Sequence, residues 1–254
     1  MIRRDDNDGF TLITQYDHAV LAGRIMERWG NEMFVSPSPF HEVQFAVREH
    51  DCGWKNWDSV PKINPENGHP ANFMEMESSD QTDIWRRCFE SYSEEHPYAS
   101  ALIALHFAGF NRKLLNRDRS DGHAKSLDLE ISRFVSDKLG IEDSKLSRIP
   151  PEVKINLRLL QVGDVISLAL CHGWKSMEIS DVPLDYEGNS AMLALESEDG
   201  FNYTISPYPF SDPQLKLKVG ARKLGRKSYS DNEDLRRHLG SSPYTTLDFT
   251  IIKG

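Results

Sequence analysis

His18, His50, Asp51, His106 and Asp164 are the residues of this 254-residue chain whose types and positions suit metal chemistry. Imidazole nitrogens and carboxylate oxygens together make a donor set for Mn, Fe, Zn or Ni. Cys52, Cys88 and Cys171 are scattered singly with no CxxC spacing, so thiolate is not expected in that set. Position is what singles the five out. Asp164 falls on the stripe Val153, Leu157, Leu160, Leu168 and Cys171, four residues after Leu160 and four before Leu168. A carboxylate on a core face is costly unless it is paired, hydrogen-bonded or bound to a metal. His50 continues the stripe Val43–Val47, His106 lies four after Leu102, and His18 lies three before Leu21. One core-facing histidine is usually just a hydrogen-bonded core residue. Four helices that each turn a metal-competent group inward predict one shared centre, as helical bundles build them. His50 and Asp51 are adjacent, and neighbours on a helix point about 100° apart. Both can serve one ion only where the helix unwinds, and Gly53 is placed to mark such an end.

These residues need elements to hold them. A short strand is predicted at Phe10–Ile13. Thr14 then opens a helix with Asp17 as its capping partner, running through Leu21 and Ile25 to Trp29 and stopping at Gly30. Ser38 and Pro39 open the second helix. Residues 54–79 hold Pro61, Pro65, Gly68 and Pro70 and read as one long irregular stretch, a length that is often functional. Further helices are predicted from Asp80 to Glu94, Pro97 to Phe110, Asp128 to Leu139 and Pro150 to Cys171, with Asn111–Ser126 as a polar loop. From about Met177 the pattern changes to short strands at Ala191–Leu195, Phe201–Ile205, Leu215–Val219 and Thr246–Ile252, with a helix near Asn232–Leu239. The expected fold is mainly α: a helical domain over 10–175, with a small β-rich C-terminal unit over 176–254 packed on it as a cover or lid.

Bulk composition narrows the function. Net charge is −9, which argues against a general nucleic-acid binder or a membrane-surface binder. No apolar run is long enough to span a bilayer, and no secretory signal opens the chain. Odd, isolated cysteines fit reduced thiols and a cytoplasmic protein.

The order His18, then His50-Asp51, then a distant Asp164 resembles the HD-domain superfamily of metal-dependent phosphohydrolases. Ala46-Val-Arg-Glu-His-Asp-Cys-Gly53 looks like the helix end that carries that family's His-Asp pair, and Leu160-Gln-Val-Gly-Asp-Val-Ile-Ser167 like its later Asp helix. The resemblance implies an HD-like helical bundle in which His18, His50, Asp51 and Asp164 hold a first metal. His106 falls where two-metal members place an additional His, but neither His96 nor His123 makes a convincing second, so one divalent ion is expected. Lys55 stands one place beyond the family's basic residue. A nearer resemblance is to a bacterial family of unknown function, through Ile13-Thr-Gln-Tyr-Asp-His-Ala19, His50-Asp-Cys-Gly-Trp54, Trp57-Asp58, Leu105-His106 and Tyr208-Pro-Phe210.

On that basis the expected activity is hydrolysis of a small phosphorylated substrate. Asp51 and His106 are its catalytic candidates, His106 as base, acid or substrate contact. Gln15 is a substrate or ligand-orienting candidate. Trp54, Trp57 and Asp58 are candidates to wall a pocket and place water, with covering of the helix end as the alternative for the two tryptophans. Asp17 reads as a cap, Arg86 and Arg87 as a solvated helix face, and Arg222–Lys227 as a basic turn. Two other classes stay open: an HD-like di-iron oxygenase, which needs a second metal, and a non-catalytic metal-stabilised sensor or interaction module, which needs an occluded site.

Overall fold

From Gln214 to Ala221 the burial alternates, with Leu215, Leu217, Val219 and Ala221 buried and Lys216 and Lys218 exposed, within a strand that runs on to Leu224. Such a strand needs partners on both edges, and it finds them at opposite ends of the sequence. In the computed structural model, which describes residues 1–141 and 149–254, this strand (β6) pairs antiparallel with β2 (Phe10–Ile13) on one side and β7 (Tyr244–Lys253) on the other. β1 (Ile2–Asp5) adds to β2. Beyond β7 come β5 (Asn202–Ser206), β4 (Ser190–Ser197) and β3 (Ser176–Pro183), giving one seven-stranded sheet of order β1-β2-β6-β7-β5-β4-β3. Only the β5–β7 pairing is parallel.

The fold is therefore mixed α/β. The expectation of a mainly α, HD-like helical bundle with a small β-rich C-terminal unit packed on it is overturned by this sheet, which joins the C-terminal strands to β1 and to the predicted strand β2 from the start of the chain. β1 carried no apolar alternation to read. Its inward residues are Ile2 and Arg4, and the Arg4 guanidinium lies over the Phe201 ring at 4.3 Å and donates to Leu170 O (2.8 Å) and Gly200 O (2.9 Å). β2 is buried on both faces, because α8 (Asn232–Ser241) covers Phe10 and Leu12 while Ile13 faces the main core.

The helices α1 (Gln15–Met26), α2 (Phe40–Glu49), α4 (Ser78–Glu90), α5 (Pro97–Arg117), α6 (Gly122–Leu139) and α7 (Pro151–His172) share one core with the sheet. α7, buried around most of its circumference, packs against α1, α2, α5, β1 and β3. Two local expectations change. Residues 54–79 are not wholly irregular: a 3₁₀ turn at Cys52–Trp54 leads into α3 (Lys55–Ser59). The predicted loop 111–126 is mostly helix, since α5 continues to Arg117 and Asp121 caps α6 by accepting from the His123 and Ala124 N–H groups. Polar residues misled there because both helix ends lie on the surface.

Replacing Arg4 with Leu strands the Leu170 and Gly200 carbonyls and is expected to cost about 2–4 kcal/mol. Chemical denaturation should show a lower midpoint, with helix and sheet signals lost in one transition because they share one core. An unchanged midpoint would contradict this account of β1.

Candidate metal centre

The inward groups converge. Thr14 caps α1: its Oγ1 accepts from Asp17 N–H (2.9 Å), and its hydroxyl donates to the Asp17 carboxylate (2.6 Å). One turn later His18 is buried at 1% exposure, as is His50; His106, Asp51 and Asp164 are 4%, 5% and 7% exposed. α2 ends at Glu49, His50 is still helical, and Asp51 leaves the helix at φ −108°, ψ 23°. That break lets two adjacent side chains face one point. Gly53 serves close approach to α4, since a Cβ there would lie 2.4 Å from Ile84 O. Gly163 does the same for α7 against α2, with Val47 Cγ1 3.1 Å from where a Cβ would be. The next residue is Asp164.

His18 Nε2 lies 3.0 Å from Asp51 Oδ2 and 3.9 Å from Asp164 Oδ1. His50 Nε2 lies 3.7 Å from Asp51 Oδ2 and 3.6 Å from Asp164 Oδ1. His106 Nε2 is 3.5 Å from Asp164 Oδ2. Donors bound to one transition metal at about 2.0–2.2 Å sit about 3.0–3.5 Å from one another, close to these spacings. The groups His18–His50–Asp51 and His50–His106–Asp164 could each hold a metal ion.

The imidazoles are set for ligation through Nε2. His50 Nδ1–H donates to Val47 O (2.7 Å), and His18 Nδ1–H donates to Ser167 Oγ (2.8 Å), whose hydroxyl donates to Asp164 O (2.8 Å). Such bonds fix tautomer and ring orientation at metal sites. They leave His50 Nε2 buried without a hydrogen-bond partner among the described residues. Once deprotonated, His50 Nε2 offers a buried lone pair beside two carboxylates, an arrangement a cation would satisfy, so these residues fit a divalent ion.

Charge follows the packing. Burial alone would lower the His50 pKa, but the Asp51 charge and the nearby Asp164 raise it to about 9. Burial would raise that of Asp164; the approach of His50, too long at 3.6 Å for a hydrogen bond, and the rings of His106 and His18 hold it far below the usual carboxylate range. Burial pushes His106 down to about 4.

The cluster forms the floor of a cavity of about 290 Å³. Gln15 and Trp54 line it, and Gln15 Nε2 reaches toward Asp51 Oδ2 at 3.4 Å. Trp57 does not line it and lies under Lys62. Asp58 does not reach the cluster: its oxygens accept from the Met1 amine (2.8 Å) and from Gln15 N–H (2.6 Å), holding the start of α1. His96 also lies elsewhere, stacked on Phe45 and bonded to Glu42. The expected loop hid three lining residues, Lys113, Leu114 and Arg117, of which Lys113 and Arg117 continue the α5 face of His106 and Phe110 at spacings of four, three and four. That helical phase was the available signal.

Residues 1–226 match the model of the family described as a protein of unknown function, DUF3891. The chain belongs to the DUF3891 family. No curated protein and no solved structure matches it. The match spans every donor residue of the cluster and the N-terminal strands that enter the sheet. No helix among the described residues of this DUF3891 protein is long and apolar enough to cross a membrane.

His50, held protonated up to about pH 9 without metal, must lose its proton to ligate. Apparent metal affinity should therefore rise about tenfold per pH unit between pH 7 and 9 and level off above. Near pH 7, binding should release close to one proton, read by titration calorimetry in buffers of differing protonation enthalpy. No release would contradict ligation by His50.

Proposed function

We propose that the protein is a metal-dependent hydrolase of a small phosphoester, with one divalent ion held by His18, His50, Asp51 and Asp164. The observation that carries this reading is a buried His/Asp cluster at the floor of an open cavity whose rim bears Lys113 and Arg117. Neither cation is ion-paired among the described residues, so both are free to meet an anion in a chain of net charge −9. In donor order, though not in overall architecture, the set resembles the HD phosphohydrolases.

A divalent ion there supplies positive charge that polarises a phosphoryl oxygen and acidifies water. The chain's own residues do the rest. Ser167 and Val47 fix the two imidazoles so that substrate binding need not reorient them. Asp51 Oδ2, which lies 3.0 Å from His18 Nε2 and accepts from Gln15 Nε2 at 3.4 Å, is placed to orient a water. His106 is neutral at physiological pH, and its Nδ1 is buried without a partner among the described residues, which suits a proton acceptor at the cavity wall. Apolar walls from Trp85, Phe107 and Phe110 exclude bulk water from the reacting group.

One ion is favoured over two. Both candidate donor groups need His50, whose Nδ1 is committed to Val47 O, and a single Nε2 lone pair serves one ion. The oxygenase alternative thus has no second donor set among the described residues. A non-catalytic module calls for an occluded site, and this one opens to a cavity.

Elemental analysis of protein purified without a metal column should find about one transition metal per chain, lost in a His50→Ala, Asp51→Ala double variant that keeps its circular dichroism. Metal-dependent turnover should appear in a panel of phosphoesters. His106→Ala should lower kcat by about 10²–10⁴-fold with metal content unchanged. No metal after reconstitution with Mn, Fe, Zn or Ni, or no turnover across the panel by metal-loaded protein, would overturn the reading.

A further inference from the structure

The cavity is chemically graded from floor to mouth. Its floor is the buried cluster. Its walls are aromatic, with Trp54, Trp85, Phe107 and Phe110 among them. Its mouth is formed by the exposed Met74, Trp174, Lys113 and Arg117. Asp51 and Asp164 are the acidic residues lining the cavity, and both lie at the floor, so no lining carboxylate neutralises the mouth cations.

α5 sets the scale. At 1.5 Å of rise per residue, Lys113 stands about 10 Å and Arg117 about 16 Å along the helix from His106. Lys113 Nζ lies 5.2 Å from the Phe110 ring, and that ring is 5.0 Å from His106. Floor and mouth are thus separated by roughly the thickness of an aromatic wall. Trp174 is also preset: its indole stacks on His172 at 4.9 Å and 6° between planes, so a flat face is held at the mouth before any ligand arrives. Exposed indoles held this way suit stacking on a planar ligand.

We propose that this cavity binds a two-headed acid: an anionic head at the His/Asp cluster, a flat aromatic or apolar body between the walls, and a second anionic group at Lys113 and Arg117. This rests on the metal-centre reading of the same site but not on hydrolysis. A small polar monoacid such as inorganic phosphate would leave the aromatic walls in water and the mouth cations without a partner. Arg117 in particular stands too far along α5 to share the head group without bending back across Phe110.

The test uses the manganese-loaded full chain and three non-hydrolysable probes: methylphosphonate, biphenyl-4-ylmethylphosphonate, and the same biphenyl phosphonate carrying a 4′-carboxylate. Binding is read by calorimetry and by quenching of tryptophan fluorescence. The biphenyl body should tighten binding at least about tenfold over methylphosphonate. The carboxylate should add roughly fivefold or more, screened away at high salt. In a Lys113→Ala, Arg117→Ala double variant the carboxylate gain should vanish while biphenyl monoacid affinity holds, which also shows that the variant folds. Equal affinity of monoacid and diacid would overturn the proposal. So would equal weakening of both by the double variant, since the cations would then serve the head group. Tight diacid binding without turnover of any phosphoester would leave this inference standing while removing the hydrolase reading.

Discussion

The structure depends on how it deals with one buried carboxylate. Asp164 sits mid-helix on α7, whose neighbours in the helix are almost all buried and apolar. An ionised carboxylate there carries a desolvation cost of several kcal/mol unless opposite charge or strong donors surround it. His18, His50 and His106 do so from three other helices. Because each imidazole must come within about 4 Å, α1, α2 and α5 are all obliged to close on the same turn of α7. Polar geometry at this one turn therefore constrains the packing of four helices. Removing Asp164 alone would leave the protonated His50 with Asp51 as its remaining counter-charge.

That closure is made by small residues and by the backbone. Gly163 lets α7 meet Val47 of α2 next to the carboxylate, and Gly53 lets the turn after Asp51 meet α4. The Ser167 hydroxyl links the His18 ring to the Asp164 carbonyl, so a donor from α1 is oriented by the helix that carries the acid. The sheet backs this arrangement. β1 and β3 pack on α7, and Arg4 ties β1 to the carbonyl of Leu170 near the helix end. The site is thus built on rigid elements, which holds donor geometry better than loops do.

What could be read in the sequence follows from the same physics. The clustered positions were legible because a polar residue on an apolar helical stripe is conspicuous, and His18, His50, His106 and Asp164 fell in phase on four separate helices. The His50–Asp51 pair was readable as a helix end, and the backbone does break there. The sheet was not legible as a whole. Of the two inward residues of β1 only Ile2 is apolar, the other being Arg4, and the β2–β6 pairing joins strands some two hundred positions apart, beyond any local pattern. Asp58 looked like a site residue from its place beside the metal pair, yet its two oxygens are taken by backbone and terminal amine groups. Lys113 and Arg117 were hidden because charged residues near a helix end read as a loop, although their phase with His106 was present.

The openness of the cluster bears on what kind of metal site it could make. Structural metal sites are closed, with the coordination sphere filled by protein and the ion sealed in the core. Here the donors approach from the core side, while the opposite side faces a cavity large enough for a small organic ligand. The orphan Nδ1 of His106 and the orphan amide oxygen of Gln15 lie beside that opening. Leaving buried polar atoms unpaired is destabilising to the free protein. The arrangement makes physical sense when those atoms have a partner that arrives with a ligand. Stability alone would have favoured apolar residues at both positions, so their presence fits the proposed ligand-binding role better than a structural plug.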